Sequence, residues 1–191
     1  MLKNAVLLLL MLITIPAYAQ NAEAIFAGGC FWTMQAYFDK LPGVVQTTAG
    51  YDGGQSSNPT YEEVSSGSTN YAESVQVTYD SDQISYSDLL DYYWHHIDPT
   101  VKNKQFCDAG KQYRTSIFYL NESQKLQALA SLKMIKKQFP IVYTEIVPST
   151  HFYPAEEYHQ EYYLKNPIRY EFYSFNCGRD ARLKEIWNEK P

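Results

Sequence analysis

The sequence has little positive charge and no segment that divides it into parts. Its 191 residues include 16 Lys+Arg against 21 Asp+Glu, a formal net charge of −5. An acidic chain without a basic stripe is a poor candidate for binding nucleic acid. Residues 24–175 contain no internal repeat, low-complexity tract or strong linker, so we expect a single domain over residues 20–191.

Cysteine is also scarce. The chain contains Cys30, Cys107 and Cys177, and because an odd number cannot all pair, at least one thiol should be unpaired or reactive. No second cysteine follows Cys30 at the spacing of a C-x-x-C motif, which argues against the alternative of a disulfide oxidoreductase. Two further alternatives are a cysteine enzyme of acyl transfer and a noncatalytic binding module that uses the 18 tyrosines as contacts.

No hydrophobic run is long enough for a comfortable membrane span. Lys3 gives a positive start, residues 5–15 are almost entirely apolar, and Ala17-Tyr18-Ala19 has the form of a cleavage site. Residues 1–19 therefore predict a secretory signal peptide, with an uncleaved anchor as the alternative. We expect an exported protein, periplasmic or secreted, without stable membrane insertion after cleavage near Ala19.

The four histidines lack the spacing of a metal site. His95 and His96 are adjacent, so on a helix their side chains point about 100° apart and cannot easily share one ion. His151 and His159 have no partner at ligand spacing either. We predict no bound metal.

A strand pattern, a glycine turn and a helix pattern surround Cys30. Residues 24–28 are largely apolar, Gly28-Gly29 permits a sharp turn, and apolar residues recur at helical spacing from Phe31 to Leu41. Cys30 should then lie in the first turn of the helix, where free N–H groups and the helix dipole lower the pKa of a thiol. A small buried cysteine without chemistry fits the same pattern.

The rest of the chain alternates between strand and helix patterns. Strands are predicted at 44–51, 71–79, 114–119 and 144–147, and helices at 87–97, 121–139 and 155–164. Because the connections vary in length, we predict an α+β fold with a mixed sheet and helices packed on it.

Two carboxylates lie in these segments. By pattern alone, Glu73 belongs on the solvent face of its strand, although a carboxyl group buried in the sheet would stay protonated and act as an acid. Asp108 by itself is an ordinary loop aspartate.

Motifs along most of the chain point to one family. Gly29-Cys30-Phe31-Trp32 resembles the signature of the A-type peptide methionine sulfoxide reductases. At two places, Asn70-Tyr71 and Ser65, the sequence departs from the residues that the family usually has. Neither departure removes a catalytic group. The resemblance extends in order over residues 24–166, through Gly50-Tyr51-x-Gly53-Gly54, Asn58-Pro59-Thr60-Tyr61-x-Glu63-Val64, Ala72-Glu73-Ser74-Val75, His96-x-Asp98-Pro99-Thr100, Asp108-x-Gly110-x-Gln112-Tyr113-Arg114 and Phe152-Tyr153-x-Ala155-Glu156-x-Tyr158-His159-Gln160.

The resemblance implies an activity and a set of roles. Such enzymes reduce the S epimer of methionine sulfoxide, free or in proteins, by attack of a cysteine thiolate on the sulfoxide sulfur. The matching positions make Cys30 the nucleophile and Glu73 a buried, protonated general acid. The other matching positions give Tyr61 and Tyr113 as hydrogen-bond donors, Asp108 as an orienting group, and Phe31 and Trp32 as an apolar wall for the methyl group.

The resemblance also implies a second thiol, which condenses with the Cys30 sulfenic acid to form a disulfide. Many relatives carry a recycling cysteine in a mobile C-terminal tail, so Cys177, in the tail 170–191, is our first choice, and Cys107 is its rival. We expect no bound cofactor, and an external thioredoxin-like protein or dithiol as reductant. The expected partners are oxidised proteins or peptides that contain methionine S-sulfoxide, and we expect a monomer.

The complete fold prediction has four parts. We expect a two-layer α/β sandwich, a mixed and mostly antiparallel sheet flanked by helices, a ferredoxin-like core, and a long irregular C-terminal tail.

Overall fold

The structure is a computed structural model that describes residues 21–187. The predicted signal peptide, residues 1–19, lies outside these residues. Within the described chain, no helix is both long enough and apolar enough to cross a membrane.

A six-stranded sheet forms the centre of the described chain. Its order is β7-β6-β1-β3-β2-β8, and β4 pairs separately with β5. Neighbours in the large sheet are antiparallel except for the parallel pair β6 and β7, which confirms the predicted mixed, mostly antiparallel sheet. The strands are β1 (Asn21–Gly28), β2 (Val44–Asp52), β3 (Ala72–Asp80), β4 (Lys104–Gln105), β5 (Asp108–Ala109), β6 (Thr115–Tyr119), β7 (Glu145–Pro148) and β8 (Tyr153–Pro154).

Helices connect these strands and follow the last one. Two interleaved units, β1-α1-β2 and β3-α3-β6, give the spatial order β6-β1-β3-β2. This is the ferredoxin-like split βαβ arrangement, so that prediction is confirmed. The helices of residues 21–187 are α1 (Phe31–Phe38), α2 (Tyr61–Ser65), α3 (Tyr86–His95), α4 (Glu122–Gln138), α5 (Tyr162–Lys165), α6 (Pro167–Cys177) and α7 (Arg179–Trp187).

Alternate residues of β1 belong to two different apolar clusters. Ala24 and Phe26 lie in the main core together with residues of α1, α3 and α4, whereas Ile25 and Ala27 lie in a smaller cluster. This period of two is that of a strand buried on both faces. The rings of Phe26 and Phe38 stack with their centroids 5.2 Å apart, and this contact packs the C-terminal end of α1 against the sheet.

The helix predicted over 155–164 is wrong. This segment forms one turn of 3-10 helix at Glu157–His159, and Glu161, at a φ of 50°, separates that turn from α5. Tertiary hydrogen bonds explain the difference. The Gln160 side chain accepts from the Ala49 N–H at 2.9 Å and donates to the Ala49 carbonyl at 2.8 Å, which ties the segment to β2.

The prediction of an irregular C-terminal tail is also wrong, because α6 and α7 occupy most of residues 167–187. Pro167 lies in the first turn of α6, where its missing N–H costs nothing, and Gly178, at a φ of 66°, ends that helix. The Arg179 side chain that follows is 2 % exposed. The tail therefore folds back onto the domain.

Candidate active site

Cys30 lies at the junction of β1 and α1. It is the N-cap residue of α1, and its carbonyl accepts hydrogen bonds from the N–H groups of Thr33 and Met34 at 3.2 and 3.3 Å. Gly29, just before it, has a φ of 87°, a conformation that favours glycine. The structure thus contains the predicted strand, turn and helix. The Cys30 side chain is a free thiol and is 7 % exposed.

Glu73 lies on β3 beside this junction. Its Oε2 accepts a hydrogen bond from the Phe31 N–H at 3.0 Å, and its side chain is 2 % exposed. Burial raises the pKa of Glu73 to about 8, so the carboxyl group keeps its proton at neutral pH. The solvent-facing position favoured by the strand pattern is wrong, because Ala72–Val75 in the central strand are buried on both faces.

The pKa of Cys30 moves in the opposite direction from the sequence-based prediction. Burial raises the pKa of the thiol well above its usual range, and the neighbouring acidic groups Glu73 and Asp108 raise it further. A hydrogen bond with Tyr173 lowers this pKa without reversing the shift. Loss of water around the thiol therefore outweighs its position at the start of a helix, and the thiol is neutral in this state.

The Tyr173 hydroxyl lies between Asp108 and Cys30. It donates to Asp108 Oδ2 at 2.6 Å and is within hydrogen-bonding reach of the Cys30 sulfur. Burial, joined by Glu73, raises the pKa of Tyr61 to about 12, and the same two causes raise the pKa of Tyr113. All three phenols therefore remain protonated donors at neutral pH.

Aromatic rings form a wall next to Cys30. Phe31 is 1 % exposed, while Trp32 stacks on Tyr162 with centroids 3.8 Å apart. The Trp32 Nε1–H donates to His159 Nδ1 at 3.0 Å, and the His159 ring lies 4.2 Å from that of Tyr61. Burial lowers the pKa of His159, so its ring stays neutral and Nδ1 can accept. An apolar wall with a few polar groups suits a small ligand with one polar end.

Cys107 and Cys177 form a disulfide with a Cα–Cα distance of 4.9 Å. Cys107 is exposed and Cys177 is half-buried. Asp108 lies next to both sulfurs, with Oδ1 3.7 Å from Cys107 Sγ and Oδ2 4.0 Å from Cys177 Sγ. The two cysteines considered for recycling are therefore bonded to each other, and Cys30 is bonded to neither.

The same three residues are the group of potential metal ligands found among the described residues. The ligand atoms of Cys107, Asp108 and Cys177 lie within 4.8 Å of one another. In this structure the two sulfurs are joined to each other, so they are not available as thiolate ligands. The absence of a metal remains a prediction.

A comparison with known proteins identifies the family. A family model described as peptide methionine sulfoxide reductase matches residues 22–191. The chain belongs to this family. It is 47 % identical over 171 residues to the peptide methionine sulfoxide reductase MsrA of Bacillus licheniformis, which covers 87 % of this chain and 94 % of that protein.

Solved structures of this reductase family agree with the fold. Mxr1 from Saccharomyces cerevisiae in reduced form matches with a TM-score of 0.74 and 33 % identity, over 78 % of this chain and 87 % of that chain. Methionine sulfoxide reductase A of Corynebacterium diphtheriae matches with a TM-score of 0.73 and 32 % identity, over 81 % and 79 % of the two chains.

The residues implied by the reductase resemblance come together around one thiol. Glu73 contacts the backbone next to Cys30, and Asp108 reaches Cys30 through Tyr173. Cys30 and Glu73 both raise the pKa values of Tyr61 and Tyr113, so these phenols lie near the same thiol and carboxyl group. Phe31 and Trp32 follow Cys30 in α1.

Three residues at this site were missed in the sequence. Tyr173 contacts Asp108 and Cys30, Tyr170 is half-buried on the same helix, and His159 accepts from Trp32. The spacing of Tyr170, Tyr173 and Cys177 places them on one face of a helix, which was a usable signal. The last motif of the resemblance includes His159, but nothing in that motif indicated its contact with Trp32.

Proposed function

We propose that this protein reduces methionine S-sulfoxide, free or in proteins, to methionine, with Cys30 as nucleophile and Glu73 as general acid. The observation that carries the proposal is a buried, protonated carboxyl group next to a buried free thiol. A sulfoxide needs both, since its sulfur is attacked while its oxygen takes up a proton. Family membership over residues 22–191 supports the same activity.

The first step transfers the sulfoxide oxygen to Cys30. Glu73 gives its proton to this oxygen as the Cys30 sulfur attacks the sulfoxide sulfur, and Glu73 then takes up the thiol proton. The products are methionine and a Cys30 sulfenic acid, so the sulfoxide gains the two electrons that the thiol loses. Hydrogen bonds from Tyr61 and Tyr113 stabilise the charge that develops on the oxygen.

The second step returns Cys30 to a thiol. Cys177 attacks the Cys30 sulfenic acid, water leaves, and a Cys30–Cys177 disulfide forms. Cys107 then attacks Cys177 and releases the Cys30 thiol, which leaves the Cys107–Cys177 disulfide present in this structure. We infer this order because Cys177 shares α6 with Tyr173, whose hydroxyl already reaches Cys30.

The reductant is an external dithiol, and we propose a thioredoxin-like protein. The disulfide that must be reduced includes the exposed residue Cys107, so a partner can approach the bond from that side. The related Mxr1 has been solved in complex with Trx2. We further propose that the protein acts as an exported monomer in the periplasm or outside the cell. The signal-peptide pattern of residues 1–19 supports the export.

The test is an assay with a peptide that contains methionine S-sulfoxide, with dithiothreitol as reductant. We expect stoichiometric formation of methionine by the wild type, and no turnover by Cys30→Ser. A peptide with the R epimer is the matched substrate control and should not react. Absence of turnover by the wild type, or equal turnover by Cys30→Ser, would contradict the proposed function.

A further inference from the structure

The Asp108 side chain lies between Tyr173 and Cys177. Its Oδ2 accepts a hydrogen bond from the Tyr173 hydroxyl at 2.6 Å, and the same oxygen is 4.0 Å from Cys177 Sγ. The Tyr173 hydroxyl is also within hydrogen-bonding reach of the Cys30 sulfur. One carboxylate oxygen and one hydroxyl therefore form a continuous path between the two sulfurs that join in the proposed second step.

We propose that Tyr173 is the acid that protonates the hydroxide leaving Cys30 when Cys177 attacks, and that Asp108 accepts the Cys177 proton and passes it to Tyr173. The inference rests on the proposed function, because the Cys30 sulfenic acid is a product of that reaction. It goes further by giving the second step a catalytic residue of its own.

The second step moves one proton from Cys177 to the leaving hydroxide. The Cys177 sulfur attacks the Cys30 sulfur, the S–O bond breaks, and the Cys30–Cys177 bond forms. Cys177 gives its proton to Asp108, Asp108 passes a proton to Tyr173, and the Tyr173 proton goes to the hydroxide, which leaves as water. The Cys177 thiol is oxidised and the sulfenic acid is reduced to the shared disulfide. Asp108 and Tyr173 end in the protonation states in which they started.

Both sulfurs require a proton transfer at neutral pH. A thiol attacks as its thiolate, so Cys177 must lose a proton, and hydroxide leaves far more easily when it is protonated. Burial raises the pKa of Asp108 above its usual range, which favours proton uptake. Burial also raises the pKa of Tyr173 well above its usual range, so Tyr173 does not persist as a phenolate and must accept one proton as it gives the other.

Tyr173 and Cys177 approach Cys30 together. They are four residues apart on α6 and therefore lie on the same face of that helix, one turn apart. A position of α6 that brings Cys177 to Cys30 thus also brings the Tyr173 hydroxyl there. The Tyr173 ring packs edge-on against Trp32 with the centroids 5.9 Å apart, and this contact constrains the orientation of the phenol.

Glu73 is another buried acid next to Cys30. Its Oε2 accepts from the Phe31 N–H on one side of the thiol, whereas Asp108 lies next to Cys177. A path through Glu73 would leave the Cys177 proton to a separate acceptor. Asp108 and Tyr173 together supply both the acceptor and the donor.

The test follows the two steps separately, in one turnover without reductant. Fully reduced protein is mixed with one equivalent of the methionine S-sulfoxide peptide, and portions are quenched in acid at intervals. Formation of methionine reports the first step. Intact mass reports the second step, because the sulfenic acid has gained one oxygen atom whereas the disulfide has lost two hydrogen atoms.

One hydroxyl is removed in each of two variants. Tyr173→Phe keeps the ring that packs against Trp32 and lacks only the proton donor. Tyr163→Phe is the matched control, since Tyr163 is also half-buried and donates to an aspartate, Asp39, at 2.9 Å. Asp39 follows the C-terminal end of α1, whereas Cys30 precedes its N-terminal end.

We expect Tyr173→Phe to form methionine within about twofold of the wild-type rate, but to convert its sulfenic acid into a disulfide about 10² times more slowly. The sulfenic acid should therefore accumulate in this variant. Tyr163→Phe should match the wild type in both steps.

The assignment is overturned if Tyr173→Phe resolves its sulfenic acid at the wild-type rate, which would leave Glu73 or water as the acid. It is also overturned if both steps slow equally, or if Tyr163→Phe shows the same delay in the second step. A Cys177→Ser variant that forms its disulfide at the wild-type rate would contradict it too, because Cys107 would then be the attacking thiol. Absence of methionine from the wild-type protein would instead contradict the proposed function.

Discussion

Glu73 shows how burial turns a common residue into an acid. A glutamate in water is ionised at neutral pH, but the 2 % exposed Glu73 has its pKa raised to about 8 by loss of solvent. Its Oε2 accepts from the Phe31 N–H, which leaves the other oxygen to carry the proton. The site therefore holds a proton donor at the pH where the substrate arrives.

Replacing this acid should remove most of the activity. Glu73→Gln keeps the size and an oxygen that can accept from Phe31, but it has no proton to give, so we expect kcat/KM for the sulfoxide peptide to fall by about 10²–10⁴. The exposed Glu62, on α2, offers the control Glu62→Gln, which should keep full activity. Activity above half of wild type in Glu73→Gln would contradict the role of Glu73.

The pH dependence of the reaction rate should follow the ionisation of the Glu73 carboxyl group. Glu73 must be protonated to act, so the rate should be constant well below pH 8 and decline above it as the carboxyl group ionises. Because the pKa of Cys30 is raised well above its usual range, no rise in rate from thiol ionisation should appear between pH 6 and about 8. Rapid-mixing measurement of one turnover avoids the pH dependence of the reductant. A rate that rises through this range would contradict this reading of the site.

At the scale of elements, α6 is held mainly by contacts at its ends and by two tyrosines. It contains no fully buried residue, whereas the neighbouring Arg179 is buried and donates to the carbonyls of Gly28 and His96. The disulfide closes a loop between residues 70 positions apart, a constraint worth about 4 kcal/mol in the chain-entropy model. The position of α6 over Cys30 should therefore depend on the disulfide.

Reduction should loosen α6 while leaving α7 in place. We expect amide hydrogen exchange in Pro167–Cys177 to become faster when the disulfide is reduced, because only half-buried side chains such as Tyr170 and Tyr173 then hold the helix. Exchange in Arg179–Trp187 should change less, since Arg179 stays buried against Gly28. Cys107→Ser should reproduce the effect without reductant. Equal exchange in both redox states would show that the disulfide does not hold α6.

Local sequence patterns predicted the helices and strands whose apolar residues recur at regular spacing. Tertiary contacts determined the structure of the other segments. The strand, turn and helix around Cys30 follow from apolar periodicity and two glycines. Residues 155–164 also have a helical pattern, but the hydrogen bonds of Gln160 to Ala49 override it. The tail was predicted as irregular because its inner face is made of tyrosines, which contact groups more than 60 residues away, such as Asp108.

Local sequence patterns also predicted only part of the candidate active site. The residue types and the resemblance identified Cys30 and Glu73, but the direction of the Cys30 pKa shift could not be read from the local sequence. That shift depends on burial, and on Glu73 and Asp108, which lie 43 and 78 positions further along the chain. A helix start predicts a lower pKa only for a thiol that keeps its contact with water.

At the scale of the whole molecule, Cys30 and the Cys107–Cys177 disulfide lie at different depths below the surface. Cys30 is buried next to Glu73, whereas the disulfide presents Cys107 at the surface. Tyr173 and Asp108 lie between the two positions. In the proposed mechanism, the fold separates the site of sulfoxide reduction from the site where electrons enter, and the pair Cys107 and Cys177 carries electrons between them.

The most direct test of this account is one turnover without reductant. Fully reduced protein is mixed with one equivalent of the methionine S-sulfoxide peptide, quenched by alkylation, and its disulfides are mapped by mass spectrometry. We predict one equivalent of methionine, a Cys107–Cys177 disulfide and an alkylated Cys30, with neither methionine nor disulfide in Cys30→Ser. A final disulfide that contains Cys30, or methionine formed without any disulfide, would contradict the account.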